Sequence, residues 1–123
     1  MAIKSYTELV AWQKSVDLVT TVYQISQQFP KEEIYGLTSQ IRRAAVSIPS
    51  NIAEGQGRLS TGEFKQFLGH ARGSLAEVKT QIHIAQKLQY VSPIQAGEVL
   101  EYCNEVGRIL NGLLTAITRE SNH

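Results

Sequence analysis

Residues 64–85 carry the feature that most narrows what this chain can fold into. Phe64, Leu68, Ala71, Leu75, Val78, Ile82 and Ala85 recur in alternating steps of four and three. That spacing lines one face of an α-helix and comes close to a coiled-coil seam, so the segment needs other helices to cover it. Directly ahead stands Ser60-Thr61-Gly62-Glu63, a capping box in which hydroxyl and carboxylate satisfy free backbone donors at a helix start. The spacing predicts a helix over 61–89.

Three further segments share the helical period. Over 7–28, Leu9, Trp12, Val16, Val19 and Tyr23 form one line, and Leu18, Val22, Ile25 and Phe29 form a second beside it. Together they make a stripe wider than a two-helix seam needs. The helix should stop before Phe29-Pro30, because a residue preceding proline is disfavoured in the α region. Over 36–56, Leu37, Ile41, Ala44, Ala45, Ile48 and Ile52 recur with Pro49 among them. Either the helix stops near Ser47, with Asn51 capping a new one and Glu54 closing a capping box, or one helix continues through a kink. The unbroken phase of Ile41, Ala45, Ile48 and Ile52 favours the kinked helix. Over 93–119, Ser92-Pro93-Ile94-Gln95 opens a helix whose apolar line is Val99, Cys103, Val106, Leu110, Leu113 and Ile117. The tail Ser121-Asn122-His123 is expected to fray.

No segment alternates like a strand, and the linkers are short. The expected fold is therefore all-α: an up-and-down antiparallel four-helix bundle, its second helix kinked at Pro49, in a single domain over 1–123. The 123 residues suit one domain, and 42% hydrophobic with 19% charged residues argues against disorder. Met1–Tyr6 lacks the apolar centre of a secretory signal, and no apolar run approaches the roughly 20 residues needed to span a bilayer. The expected address is the cytoplasm, with no membrane partner.

Enzyme signatures are weak. A dimetal centre in a bundle needs inward carboxylates and a Glu-x-x-His pair on each of two helices. Glu120-Ser121-Asn122-His123 is a lone match at the chain end, and His70 and His83 stand thirteen residues apart. The single cysteine, Cys103, excludes an internal disulfide and a cysteine zinc site, and its stripe position reads as a small buried hydrophobe. Gly57 and Gly62 have P-loop spacing, but Glu63-Phe64 replaces the lysine and hydroxyl residue that would follow. No catalytic residue, metal or cofactor is expected.

Charge is more informative. The total is +1, yet 42–87 holds seven cations against three anions, a balance of +4, and 91–123 holds two against four, a balance of −2. Arg58, Lys65, Arg72 and Lys79 recur every seven residues, and seven residues return a helix to within about 20° of its start. Lys65, Arg72 and Lys79 therefore share one face beside the apolar seam, and Arg58 joins them only if the preceding loop keeps helical phase. Such a row could track a phosphate backbone, or it could flank the seam and pair with glutamates of neighbouring helices or subunits.

The string Ala45-Val46-Ser47-Ile48-Pro49-Ser50-Asn51-Ile52-Ala53-Glu54-Gly55 is specific. With Gly57-Arg58, Glu63-Phe64, Phe67-Leu68, Gly73-Ser74-Leu75-Ala76-Glu77 and the opening Leu9-Val10-Ala11-Trp12-Gln13-Lys14-Ser15, it resembles the bacterial four-helix-bundle family of 23S rRNA intervening sequence proteins, also labelled S23 ribosomal protein. The resemblance covers nearly the whole chain. It implies an up-and-down bundle assembled as a ring-shaped homopentamer, and it carries over no catalytic residues. A related branch, the accessory proteins of diversity-generating retroelements, binds nucleic acid and a reverse transcriptase.

Residues and resemblance together lead us to expect a non-catalytic homo-oligomer that binds RNA or DNA. Arg42, Arg43, Arg58, Lys65, Arg72 and Lys79 are the candidate contacts, and Leu18, Val22, Ile25 and Phe29 the candidate subunit interface. A protein-binding scaffold without nucleic-acid contact is the alternative. In the motif Ile48, Pro49, Ser50, Asn51, Glu54 and Gly55, the proline either bends the helix around the core or helps build a polar contact from Ser50, Asn51 and Glu54.

Overall fold

The computed structural model describes residues 5–121. Four α-helices follow one another: α1 Val10–Ser26, α2 Leu37–Gln56, α3 Thr61–Lys87 and α4 Pro93–Ser121. Short 3-10 turns at Tyr6–Glu8 and Lys31–Glu33 precede the first two, and no strand occurs among the described residues. Each helix packs on two neighbours, α1 on α2 and α4, α3 on α2 and α4, and among the described residues the backbones of the diagonal pairs do not approach each other. This is the antiparallel up-and-down bundle that the periodicity predicts. Leu18, Val22, Ile41, Ile48, Ile52, Leu68, Val78, Ile82, Val106 and Leu110 are completely buried along its axis. Each such side chain contributes roughly 1.5–3 kcal/mol by leaving water.

The helix ends differ from expectation where local chemistry intervenes. The α-helix expected from Thr7 starts only at Val10, because Leu9 is extended (φ −76, ψ 125). Ser5 Oγ accepts the Thr7 N–H at 3.2 Å and holds a 3-10 turn in front of it. Gly36 provides no side chain to cap α2, so Glu33 reaches over and accepts the Leu37 N–H at 3.1 Å. Its other oxygen accepts the Tyr90 hydroxyl at 2.8 Å, tying this corner to the α3–α4 connection.

Helix α2 runs unbroken through Pro49. Asn51 does not cap a new helix: its Nδ2 donates to the Ser47 carbonyl at 2.8 Å and to Ser47 Oγ at 2.9 Å, within the same helix. At α3, Ser60 Oγ accepts the Glu63 N–H at 3.1 Å. The Glu63 carboxylate takes the Ser60 hydroxyl at 3.2 Å and does not return to the backbone. The box at α4 is complete, with Gln95 N–H to Ser92 Oγ and Ser92 N–H to Gln95 Oε1. Helix α3 stops at Lys87, two residues early, because Gln89 adopts φ 64. That left-handed residue lets Tyr90 N–H reach the Ala85 carbonyl and Gln89 N–H the Gln86 carbonyl, a Schellman closure. In the expected frayed tail, Ser121 belongs to α4, whereas Asn122 and His123 lie outside the described residues.

Candidate nucleic-acid interface

Helix α3 sorts its residues by angle, at roughly 100° per residue. The side against α2 carries Ser74, Gln81 and Glu77; Ser74 Oγ donates to Ser47 Oγ at 2.9 Å. Next round the helix comes an exposed ridge of small residues, Gly69, Gly73, Ala76 and Thr80. Beyond the ridge stand Lys65, Arg72 and Lys79, and then the buried line. Arg72 is exposed, and Lys65 and Lys79 are half-buried at the α4 side, where the Lys79 charge acts on Cys103. None of the three has a carboxylate partner among the described residues.

The other three candidate cations fall elsewhere. Arg42 is engaged at the C-terminal end of α1: its Nε donates to Ser26 Oγ at 2.8 Å and its Nη2 to the Tyr23 carbonyl at 3.3 Å. Its guanidinium also stacks 4.6 Å from the Tyr23 ring centre. A cation there offsets the negative end of the α1 dipole, so Arg42 is a structural residue first. Arg58 is neutralised by Glu54 at 3.2 Å and Glu63 at 4.0 Å, and it covers the Phe67 ring. It therefore leaves the row that the step of seven suggested, because the α2–α3 turn breaks helical phase. Arg43 is exposed, without an ion-pair partner among the described residues, but it lies across the ridge from the Lys79 row.

Leu18, Val22, Ile25 and Phe29 require a correction. They are at most 7% exposed and belong to the chain's own core, so they cannot supply a subunit contact. The outward line of α1 is the other one: Trp12, Val16 and Val19 are half-buried and Tyr23 is exposed. The sequence held the signal for this choice. Ala11, Ser15, Leu18, Val22, Ile25 and Phe29 make one strict four-three line, and all six are buried.

The motif is occupied by packing. Ile48 and Ile52 are completely buried, and Pro49 is buried with them. Glu54 holds Arg58, Asn51 holds Ser47, and Ser50 faces outward. At Gly55 a Cβ would lie 2.7 Å from Phe67 Cβ and 3.3 Å from the Phe64 carbonyl oxygen. Glycine is required there because α2 and α3 meet almost backbone to backbone.

Between α2 and α3 lies a feature that periodicity did not reveal. A groove of about 480 Å³ has Tyr35 and Arg43 at its mouth and Ser47, Ser74, Glu77 and Gln81 along its walls. Tyr35 is 95% exposed, and Gln81 is 8% exposed with Oε1 lacking any donor among the described residues. Gln81 sits beside the buried Val78 and Ile82 in sequence, and nothing in the pattern distinguishes its amide from a surface one.

Cys103 is completely buried, and that burial pushes its thiol up to about 11, so it stays protonated at neutral pH. Among the described residues no group of three or more His, Cys, Asp or Glu could hold a metal ion. His70 and His83 are both exposed, and of the lone Glu-x-x-His match, His123 lies outside the described residues. No helix among the described residues is long and apolar enough to cross a membrane.

Among solved structures the chain is similar to a protein of unknown function from the S23 ribosomal protein family of Bacteroides thetaiotaomicron. The two are 19% identical, with a TM-score of 0.79 over 85% of this chain and 98% of the other. That likeness bears on the fold alone. No curated protein matches. The sequence pattern described as 23S rRNA-intervening sequence protein matches residues 7–112, nearly the span of the bundle, and to that family the chain belongs.

Proposed function

We propose that the protein is a non-catalytic, cytoplasmic interaction module that binds nucleic acid through the α3 face and acts as an assembly of several copies. The observation that carries this reading is the row Lys65, Arg72, Lys79, without carboxylate partners among the described residues, while Arg42 and Arg58 are tied up. Successive members of the row stand about 10 Å apart along the helix. The family name refers to 23S rRNA, which suits an RNA partner. Assembly is supported by the outward line of α1, where Tyr23 is 41% exposed beside half-buried Trp12, Val16 and Val19. A monomer has little reason to leave an apolar strip of that length uncovered. The family resemblance leads us to expect five copies, and repetition would multiply a weak patch into useful avidity.

Fluorescence anisotropy with a labelled mixed-sequence RNA tests the reading. Three phosphate contacts per copy give a slope of about −2 to −3 in log affinity against log salt. Joint reversal of Lys65, Arg72 and Lys79 to Glu should weaken binding by about a hundredfold or more. Unchanged binding in that variant sinks the assignment. Light scattering tests assembly, with Val16→Glu and Val19→Glu expected to lower the mass. A stoichiometric protein partner, retained without nucleic acid or salt-dependent RNA binding, would favour the scaffold reading instead.

A further inference from the structure

We propose that the groove between α2 and α3 receives a single unstacked base, so that the preferred partner is single-stranded nucleic acid. This rests on the reading of α3 as a nucleic-acid face and adds to it a strand preference and a base-edge preference.

The mouth of the groove pairs an aromatic ring with a cation. Tyr35 is 95% exposed, so nearly its whole ring is open to stacking. Arg43 stands at the same mouth, without an ion-pair partner among the described residues. Stacking on one aromatic strengthens single-strand binding roughly ten- to hundredfold, and an adjacent cation holds the flanking phosphate. A duplex keeps its bases stacked inward and cannot make this contact.

The interior supplies the base-edge chemistry. Ser47 and Ser74 satisfy each other, but Gln81 Oε1 has no donor among the described residues and is buried. A buried acceptor without a donor is costly, and a turn of the Gln81 side chain that brings Oε1 out to a base N–H in the groove removes the cost. Glu77, on the same wall, adds a carboxylate that repels phosphate and accepts N–H groups. Two acceptors favour bases carrying an amino group, adenine, cytosine and guanine, over uracil, whose single N–H lies between two carbonyls.

The ridge makes the route continuous. A Cβ placed on Gly69 or Gly73 would meet nothing within 4 Å. A strand held at Lys65, Arg72 and Lys79 can therefore cross α3 close to its backbone and turn a base into the groove.

Anisotropy titrations with labelled 12-mers of oligo(A), oligo(C) and oligo(U), and with a mixed duplex, test the proposal. The wild-type protein should bind oligo(A) and oligo(C) several-fold more tightly than oligo(U). Tyr35→Ala, at a surface position that leaves the fold intact, should lose about tenfold on oligo(A) and oligo(C) and nothing on the duplex. Gln81→Met should level the difference between oligo(A) and oligo(U). Wild-type affinity of Tyr35→Ala for every strand overturns the groove proposal, and so does a groove satisfied by bound water, seen as an unchanged base preference in Gln81→Met. A change of mass in Tyr35→Ala with unchanged binding also overturns it, in favour of a second copy covering the groove. If the Lys65, Arg72, Lys79 reversal abolishes binding while Tyr35→Ala does not alter it, the α3 face stands and the groove falls. The opposite pattern leaves the groove and removes the row.

Discussion

The two seams that flank the bundle are built on opposite terms. Where α2 meets α3, small residues of α2 admit the neighbouring helix: Gly55 lies directly against Phe64 and Phe67, and Ser47 and Ser74 are hydrogen-bonded across the interface. Where α1 meets α4, Thr21, Gln24, Gln28, Gln95, Glu98 and Tyr102 line an open cleft. Lys14 and Glu105 bridge that seam at 3.4 Å. Burial first, and the charge of Asp17 second, push the Tyr102 phenol above its ordinary value there. Interaxial distance follows the side chains at the contact, so α2 and α3 lie close and α1 and α4 stand apart. The string Ile48 to Gly55 therefore encodes an approach distance more than a reaction.

The sharpest test of the tight seam adds one carbon on each side of α3, once against α2 and once against α4. Gly55→Ala places its Cβ 2.7 Å from Phe67 Cβ, and the helices must separate. A loss of about 3 kcal/mol is expected in urea melts, at the upper end for overpacking. Gly107→Ala, on α4, meets only the end of the flexible Leu75 side chain at 3.4 Å. Its strain is offset by better helix propensity, leaving a net change within about 1 kcal/mol. Equal losses at the two positions would show that the tight seam is not special.

Arg42 within α2 and Arg58 just beyond its C-terminal end give a second contrast. Arg42→Met removes charge-assisted hydrogen bonds at the α1 terminus and should cost about 1.5–2 kcal/mol. Arg58→Met removes a bridge to Glu54 whose side chains are 41% and 56% exposed, and should cost under about 0.5 kcal/mol. Thermal unfolding of the two variants side by side decides it.

The α1–α2 corner gives a pH signature. The Leu37 N–H, and then the Tyr90 hydroxyl, hold Glu33 below its ordinary 4.5. A carboxylate held low stabilises the fold above its unfolded value, and that contribution disappears as pH falls through the folded one. Tyr90, raised above 10.0 chiefly by its bond to Glu33, contributes below its unfolded value and stops contributing as pH rises through the folded one. Midpoint temperature should thus decline at both the acid and the alkaline end, and Glu33→Gln should flatten both declines. An unaltered pH profile in Glu33→Gln would rule the pair out as its source. The smallest effect expected is at Gln89, where φ 64 suits glycine. Gln89→Gly should gain about 0.5–1 kcal/mol, visible as a small rise in the urea midpoint.

Much of the fold was legible because period and capping speak through local sequence. Ser60, Ser92 and the four-three lines place the helices to within a few residues. The misses are tertiary or conformational: Leu9 extended under a Ser5-capped turn, and Gln89 in a region where glycine is the usual sign. The α3 row was readable from its step of seven, since helical phase alone decides it. The engagement of Arg42 was not, because its partners Tyr23 and Ser26 belong to the preceding helix. The groove was least legible, for it exists only where Tyr35, Arg43 and Gln81 are brought together by the close approach of two helices.

The uneven charge along the chain has a further consequence. With a total of +1 the molecule has almost no monopole by which a polyanion could draw it from afar. It does have separated charge: Lys65, Arg72 and Lys79 on α3 lack carboxylate partners among the described residues, and α4 carries four glutamates against two arginines. The leading interaction is then a torque. Within a Debye length of about 8 Å at physiological salt, a polyanion turns the molecule before it pulls it. Encounters become selective in angle, with α3 arriving first, while the overall rate of arrival stays that of a nearly neutral particle.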